Sequence, residues 1–430
     1  AASDVYKRQI QDNFQELRIF SPAEQHLQRE QFVFKERIRA LLLDDENAIS
    51  GISSLLGHFY QKTGIEVDIV KILPENIFEF IQEYKKSGRD DIDVFLLDVP
   101  WLSYFAENDY LVCLDEFVEV QGIDEENFIP GILNSYGRYQ GKLYALPFMV
   151  CTQLLFYRSD LFKDEYLCRK FEEQNMVPLE PPTSWLQYNT IAKFFCKNYN
   201  PGSPVEYGHS ISLSYPEELI CNLMPRLWEQ KADLYSMDGH IKCNTRQVRK
   251  AIHNLLESVR YADPETLSNR PIHTLHNFIE GRTAMVSVYY NYATEIQNKL
   301  QSKVIDRVGY VQLPGDSVLS GWSLALSSNT KKAEAAFAFI RWATGMEVAV
   351  PHTILGGQSP NVSVYQNYDM LALYPWFTKA LNELKSSRPR RSPISAKGTL
   401  LNEKKVEDIV FRHVSPLIQD SVSGIFVDTD

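Results

Sequence analysis

Predicted strands and helices alternate through residues 37–98, and this alternation restricts the fold more than any other feature of the sequence. A candidate strand at Arg37–Leu43 is followed by apolar residues at helical spacing, and a second at Glu66–Ile72 is followed by another such helix. Residues Asp93–Leu97 form the third predicted strand. Because neighbouring parallel strands need a crossover between them, this spacing predicts a parallel sheet in an α/β lobe.

Length and charge limit the class of protein. The chain has 430 residues, more than one ordinary hydrophobic core accommodates, so we expect two lobes. Its formal net charge of −11 disfavours nucleic acid as a partner of this segment, because phosphates would be repelled. One basic run stands out, Arg388–Arg391 (RPRR), and we expect it to be a solvated loop.

The ends of the sequence suggest a fragment. No apolar run approaches the ~20 residues that span a bilayer, and the N-terminus lacks the basic and apolar segments of a signal peptide. Because the sequence opens AASDVYKRQ without Met, we expect it to be incomplete. Residues 1–35 are polar and stay unassigned, as an N-terminal segment or a linker.

Cysteine and histidine usage gives no sign of a metal or catalytic site. None of the six cysteines forms a CxxC pair, and several lie in apolar stretches, so we expect free, mostly buried thiols. Free thiols fit a reducing compartment better than an exported protein. The nine histidines show no HExxH spacing, and no GxSxG, P-loop or GxGxxG motif is present. We expect no metal, no cofactor and no enzymatic activity.

Several sequence blocks follow one another in a characteristic order. They are YLVCLDEF (110–117), GKLYALPF (141–148), LLFYRSDLF (154–162), PPTSW (181–185), FIEGRTAMVSVYYNY (278–292), VGYVQLPGDSVLSGWSLAL (308–326) and KAEAAFAFIRWAT (332–344). In this order they resemble the extracellular solute-binding proteins of ABC importers, in the large group that binds carbohydrates. No single block is specific, but the series extends over roughly residues 36–430.

The resemblance implies a fold and its division into lobes. It implies an α/β, two-lobed periplasmic-binding-protein-like fold of type II, in which the lobes close on a ligand about crossover segments. It places lobe I at residues 36–147 and 319–355, and lobe II at residues 148–318 and 356–430. It also places a hinge at Leu146–Phe148, where Pro147 favours extended chain.

The resemblance also implies a function. The chain would be a monomeric solute-binding protein that binds a mono- or oligosaccharide and delivers it to the permease of an ABC importer. It would be extracellular, membrane-associated or periplasmic. An alternative keeps the fold and makes the chain the ligand-sensing part of a cytoplasmic, GntR-like transcription regulator whose DNA-binding domain precedes residue 1. The expected free thiols and the missing signal peptide favour that alternative.

Candidate ligand-binding residues follow the predicted strands. In open α/β sheets, ligands bind beyond the carboxyl ends of the strands. This rule points to carboxylates after the first strand and to a carboxylate and a ring after the third: Asp44, Asp45, Glu46, Asp98 and Trp101. Carboxylates accept hydrogen bonds from sugar hydroxyls, and rings cover the apolar faces of sugars. A solvated turn or helix cap at residues 44–47 and a core role for Trp101 remain as alternatives.

The resemblance adds further candidates at the crossovers and in the second lobe. They are Phe148, Tyr157, Tyr289, Tyr290, Tyr292, Trp322 and Gln358. Tyr157 also fits a core strand, and alternation along a strand does not decide which of the three tyrosines faces the ligand. Trp322 is the strongest candidate, because Gly321 before it lets the backbone approach a ligand closely. The family's Arg near position 361 is missing, which weakens the comparison there.

Overall fold

The computed structural model describes residues 36–44, 46–395 and 399–424. The unassigned segment 1–35 and the predicted site residue Asp45 lie outside the described residues. For the predicted site residue Glu46, the backbone alone is described.

The described strands form two main sheets and one short hairpin. Their bounds are β1 (Arg37–Leu43), β2 (Glu66–Ile72), β3 (Val94–Asp98), β4 (Arg138–Tyr139), β5 (Lys142–Leu143), β6 (Ala145–Cys151), β7 (Gln153–Arg158), β8 (Tyr207–Ser210), β9 (Thr283–Tyr289), β10 (Val308–Val311), β11 (Val318–Leu326) and β12 (Arg388–Pro389).

Helices cover both sheets. Their bounds are α1 (Glu46–Thr63), α2 (Pro74–Ser87), α3 (Leu102–Glu107), α4 (Asp115–Gln121), α5 (Ile132–Gly137), α6 (Glu165–Asn175), α7 (Trp185–Phe195), α8 (Pro216–Glu229), α9 (Arg246–Val259), α10 (Pro271–Ile279), α11 (Ala333–Ala343), α12 (Met346–Ile354), α13 (Val362–Gln366), α14 (Tyr368–Leu373), α15 (Phe377–Ser386) and α16 (Glu403–Val422).

The first sheet forms the core of lobe I. Its order is β12-β11-β3-β1-β2, with β6 on the other side of β11. As predicted, β1 is parallel to β2 and β3, whereas β11 is antiparallel to β3 and β6. Every residue of β3 is buried, because helices cover both faces of a sheet of this kind. The carboxyl ends of β1 and β3 therefore lie at one edge of the lobe.

The second sheet forms the core of lobe II. Its order is β10-β7-β9-β8, with β7 antiparallel to β9 and β10 and β8 parallel to β9. Helix α8 packs against α9 and α16 in the same lobe. Helix α7 begins after Ser184, whose hydroxyl accepts a hydrogen bond from the Gln187 N–H and caps the helix.

The chain passes between the lobes at several points. Strand β6 belongs to the first sheet and β7 to the second, so the first crossing is at the buried Thr152. The predicted hinge, Leu146–Phe148, is extended as expected but lies inside β6, paired with β11. Residues 312–317 cross back, and residues 355–361 form the third crossing, where the Val150 N–H donates to the Gln358 carbonyl.

One buried ion-pair network ties the two lobes together behind these crossings. The side chain of Arg390 is 1% exposed and donates to Asp98 of lobe I at 2.5 Å and to Glu407 of lobe II at 2.5 Å. Its Nη2 atom also lies 3.5 Å from Glu217 at the start of α8. Burial raises the pKa of Asp98 to about 6, although the Arg390 charge acts in the opposite direction.

The expectation that the basic run is a solvated loop is wrong at Arg390. Arg388 and Arg391 are exposed and pair with Asp316 and Asp233 at the surface. Arg390 turns inward and is buried, where its guanidinium pairs with Asp98 and Glu407. In this run one structural residue stands between two exposed ones.

Replacement of Arg390 tests the tie between the lobes. We expect Arg390→Met to lower the free energy of unfolding at pH 7 by about 3–5 kcal/mol, because Asp98 and Glu407 are left buried without a cation. The matched control Arg391→Met removes an exposed ion pair worth roughly 0–1 kcal/mol. Urea unfolding of both variants measures the difference. Equal losses for the two variants would contradict the assignment.

Candidate ligand-binding cleft

A cleft opens where the edges of the two lobes face each other. Lobe I contributes the side chains that end its strands and begin α2: Leu43, Pro74, Met149, Cys151, Ser320, Gly321 and Trp322. Lobe II contributes mainly hydroxyl, carboxylate and amide groups: Tyr215, Glu217, Glu218, Pro271, Tyr289, Asn291 and Tyr292. Gly356 and Gln358 of the third crossing complete the wall.

Trp322 forms the aromatic wall of lobe I. It lies in β11 opposite Asp98 of β3, and its ring meets that of Trp101 edge to face at 5.8 Å. Trp101 in turn contacts Phe78 at 5.3 Å and is buried, so it supports Trp322 from behind. Gly321 has φ +124°, and a Cβ there would lie 2.2 Å from the Met149 carbonyl oxygen. Its close approach is therefore to β6, which fixes the strand that carries Trp322.

Strand β9 and the turn after it supply the opposing wall. Tyr289 and Tyr292 line the cleft, whereas Tyr290 between them is buried and donates from its hydroxyl to the Val150 carbonyl at 2.7 Å. Within the part of the chain that the structure describes, the hydroxyl of Tyr289 and the side-chain oxygen of Asn291 have no hydrogen-bond partner. Buried polar groups are normally paired, so both are available to a ligand.

Two carboxylates from the first turn of α8 enter the cleft. Glu218 is 2% exposed and accepts a hydrogen bond from the Tyr215 hydroxyl at 3.0 Å. Burial raises its pKa to about 7. Burial, followed by the charge of Asp98, raises the pKa of Glu217 well above its usual value. Both groups accept a proton far more readily than an exposed glutamate does.

A thiol lies beside these carboxylates. Cys151 ends β6, lines the cleft and is buried. Burial and the neighbouring Glu217 raise its pKa well above 9, so it is protonated at neutral pH. All six cysteines lie within the described residues and are free thiols, as expected from the sequence. No cluster of three or more His, Cys, Asp or Glu side chains suited to a metal ion occurs in that part of the chain.

An ion pair joins the lobes at the mouth of the cleft. Arg270, just before α10, donates to Glu75 in the first turn of α2 at 2.7 Å. Its guanidinium also lies 5.0 Å from the ring centre of Tyr215. Partial burial acts to raise the pKa of Glu75, but the hydrogen bond from Arg270 lowers it overall. Pro74 and Pro271, the chain neighbours of Glu75 and Arg270, line the cleft.

The free volume of the cleft shows that the lobes are closed together. It is about 80 Å³, well below the ~300 Å³ of a small ligand pocket, so a ligand enters after the lobes separate. A larger pocket of about 570 Å³ lies beside α1, α11 and α12. Its wall belongs almost entirely to lobe I, so closure of the lobes does not enclose a ligand there. The cleft is the better candidate site.

The structure brings four of the predicted site residues together. Tyr289, Tyr292, Trp322 and Gln358 all line the cleft. Trp101 stands directly behind Trp322, and Asp98 is engaged by Arg390. Neither residue lies at the surface of the cleft: Trp101 supports Trp322, and Asp98 binds Arg390.

The other described candidates lie apart from the cleft lining. Asp44 is exposed at the end of β1, and its N–H donates to the Ile72 carbonyl. Phe148 is buried and stacks on His352 at 5.1 Å. Tyr157 packs on Phe162 at 4.8 Å, and Tyr290 lies in the core of lobe II.

Sequence reasoning missed the cleft residues of α8. Tyr215, Glu217 and Glu218 stand in the stretch SYPEEL, where Pro216 is the first residue of the helix. Proline followed by acidic residues is an ordinary helix start, and this explains why the signal was overlooked. A helix start that carries two adjacent carboxylates and a tyrosine, beside an otherwise apolar helix, is the signal that was available.

The chain is similar to a known protein family and to individual proteins. The family model of the bacterial extracellular solute-binding proteins matches residues 55–375. A probable ABC transporter-binding protein of Deinococcus radiodurans is 22% identical over 331 residues, 74% of each chain. Thiaminase-1 of Paenibacillus thiaminolyticus is 41% identical over a shorter segment of 77 residues, 18% of each chain.

A solved structure shares the whole architecture. An ABC transporter solute-binding protein of Agrobacterium radiobacter, in complex with ribitol, superposes with a TM-score of 0.77 at 18% identity, over 92% of this chain and 98% of that one. The two-lobed α/β fold expected from the sequence is confirmed by this likeness. Among the described residues, no helix has the length and apolar character needed to cross a membrane. Because the family model matches most of this chain, the chain belongs to the bacterial extracellular solute-binding proteins.

Proposed function

We propose that this protein binds a polyhydroxylated ligand, a mono- or oligosaccharide or a sugar alcohol, and presents it to an ABC permease without converting it. The observation that carries this proposal is the composition of the cleft walls. An aromatic wall at Trp322 faces a wall of hydroxyl, carboxylate and amide groups at Tyr289, Asn291 and Glu218. Rings cover the apolar faces of sugars, and such polar groups bond their hydroxyls. The ribitol complex of the similar protein supports this ligand class.

Lobe closure is the mechanism of this binding. A ligand in the cleft contacts Trp322 on one lobe and Tyr289 on the other only when the lobes are together, so it favours the closed form. The bridge between Glu75 and Arg270 forms in the same closed arrangement and adds to its stability. Separation of the lobes breaks this bridge and frees the ligand for the permease.

A second candidate function is a thiaminase-like enzyme activity. The likeness over 77 residues and the presence of Cys151 beside Glu217 in the cleft favour it, because nucleophilic catalysis needs a nucleophile with an adjacent base. The raised pKa of Cys151 argues that this thiol is not activated, and we place binding first. Consumption of thiamine by the wild type, lost in Cys151→Ser, would favour the enzyme.

The regulator alternative stays a prediction. The six free thiols agree with it, but free thiols fit any protein kept in a reducing compartment. Membrane association and a monomeric state likewise belong to the proposal.

Replacement of Trp322 tests the proposed site. We expect a panel of sugars and sugar alcohols, ribitol included, to contain compounds that raise the melting temperature of the wild type, since binding stabilises the folded state. For such a compound, Trp322→Ala should raise Kd at least about tenfold, as an aromatic anchor of an interface does. Titration calorimetry measures Kd, and circular dichroism checks the fold.

The control and a second variant keep this test decisive. Tyr368→Ala removes a tyrosine that is 85% exposed in lobe II, and should leave Kd unchanged. Tyr292→Ala removes a less buried ring of the cleft and should weaken binding even if Trp322→Ala proves unstable. Full affinity in both cleft variants would reject the site. No response to any sugar or sugar alcohol would reject the ligand class.

A further inference from the structure

We infer that the ligand of this cleft carries a positively charged nitrogen, such as the ammonium group of an amino sugar, which Glu217 and Glu218 bind. The inference rests on the proposed function, because it concerns the same cleft and names its ligand more narrowly. It would make the two glutamates the residues that select a cationic ligand over a neutral sugar of the same shape.

The charges on the cleft wall are of one sign. Its charged side chains are Glu217 and Glu218, and no Lys, Arg or His is among the described residues that line it. The nearest cations are committed elsewhere: Arg270 pairs with Glu75, and Arg390 pairs with Asp98 and Glu407 at 2.5 Å each. Arg390 also pairs with Glu217 at 3.5 Å, a longer contact than its other two, whereas no ion pair of Glu218 occurs within the described residues.

The groups around the cleft do not neutralise the excess of carboxylates on its wall. The titratable or charged groups that act on the two glutamates come from β3, β6, β9, the residue before α10, α16, the segment after β12, and α8 with the residue before it: Asp98, Cys151, Tyr289, Arg270, Glu407, Arg390, Cys221 and Tyr215. Glu403 of α16 is also buried, and one of its carboxylate oxygens has no partner among the described residues. Carboxylates therefore outnumber guanidinium groups around the cleft floor.

An independent observation also points to a ligand at this position. The Tyr289 hydroxyl is in a side chain that is only 7% exposed and lines the same cleft; it forms no hydrogen bond of ordinary geometry in the described structure, but lies close enough to Glu218 to lower the pKa of that carboxyl. A buried hydroxyl without a partner is costly, so a polar group of the ligand is expected beside it. The electrostatic contact of Tyr289 with Glu218 places that group next to the carboxylate.

The rings of the cleft suit a cation as well as a sugar. Trp322 on one wall and Tyr215, Tyr289 and Tyr292 on the other surround the two carboxylates. Aromatic faces attract cations, and the attraction is larger where water is excluded. A combination of carboxylates and rings, in which the nearby guanidinium groups are shared with other carboxylates, is the chemistry expected of an ammonium site.

Burial of the carboxylates leaves two ways to avoid uncompensated charge. Either they hold protons, which agrees with the pKa of about 7 for Glu218 and the raised pKa of Glu217, or a cation from the ligand replaces those protons. A cationic ligand that binds near pH 6 should therefore release protons, and a neutral sugar should not. This difference is measurable without any variant.

The experiment compares amines with their neutral counterparts. The probes are D-glucosamine against D-glucose and N-acetyl-D-glucosamine, and 1-amino-1-deoxy-D-glucitol against D-glucitol. Titration calorimetry at pH 6 in two buffers of different ionisation enthalpy gives both Kd and the number of protons released. We expect the amines to bind about tenfold or more tightly than their neutral partners, with proton release.

Variants then assign the preference to the carboxylate. Glu218→Gln keeps the shape of the side chain and should abolish most of the preference for the amines while changing the Kd of neutral compounds little. Glu173→Gln, on the exposed surface of α6, is the matched control and should keep the preference.

The outcomes separate this inference from the proposed function. Neutral sugars or sugar alcohols that bind as tightly as the amines, with no proton release, would overturn the inference and leave the proposed function standing. A preference for the amines that survives in Glu218→Gln and Glu217→Gln would also overturn it. No binding of any neutral or cationic compound would overturn both.

Discussion

The contact of Arg390 with carboxylates of both lobes is the interaction on which the cleft depends. It joins Asp98, the last residue of β3, to Glu407 on α16, and both partners are almost fully buried. Charges removed from water persist in a protein only when they are paired with good geometry. In the closed arrangement their pairing therefore ties the strand that backs Trp322 to the helices of the lobe that carries Glu217 and Glu218. One guanidinium thus stabilises the closed arrangement of the two cleft walls.

The cleft combines a rigid wall with a movable one. On lobe I, Trp322 is held by Trp101 behind it and by the close contact of Gly321 with β6. On lobe II, the polar side chains come from the start of α8, the end of β9 and the turn after it, and two of their atoms, the Tyr289 hydroxyl and the Asn291 side-chain oxygen, have no hydrogen-bond partner within the described residues. In the closed arrangement these groups face the aromatic wall across the cleft.

Much of the fold was predictable because local sequence patterns indicate the strands and helices. Strands β1 and β2 were predicted with their observed bounds, and β3 was displaced by one residue. Trp322 was predicted from the resemblance and from the Gly321 before it, whereas Tyr289 was one of three candidate tyrosines between which alternation along the strand did not decide.

The missed features depend on contacts between distant parts of the chain. Arg390 and Asp98 are 292 residues apart, and no local pattern distinguishes Arg390 from the exposed Arg391 beside it. The role of Glu217 and Glu218 likewise appears only when α8 is brought against β6 and β11. Phe148 and Tyr157 show the opposite error, because an aromatic residue in a buried strand fits a core and a binding site equally well until the packing is known.

A crystal structure with a bound ligand tests the central claim most directly, namely that the space between the lobes is the binding site. The crystals would be grown with ribitol, or with whichever sugar, sugar alcohol or amino sugar raises the melting temperature most. The account predicts the ligand between Trp322 and Tyr289, with Glu218 in contact and the lobes closed. A ligand bound instead in the larger pocket beside α1, or lobes whose separation is unchanged by a ligand outside the cleft, would contradict it.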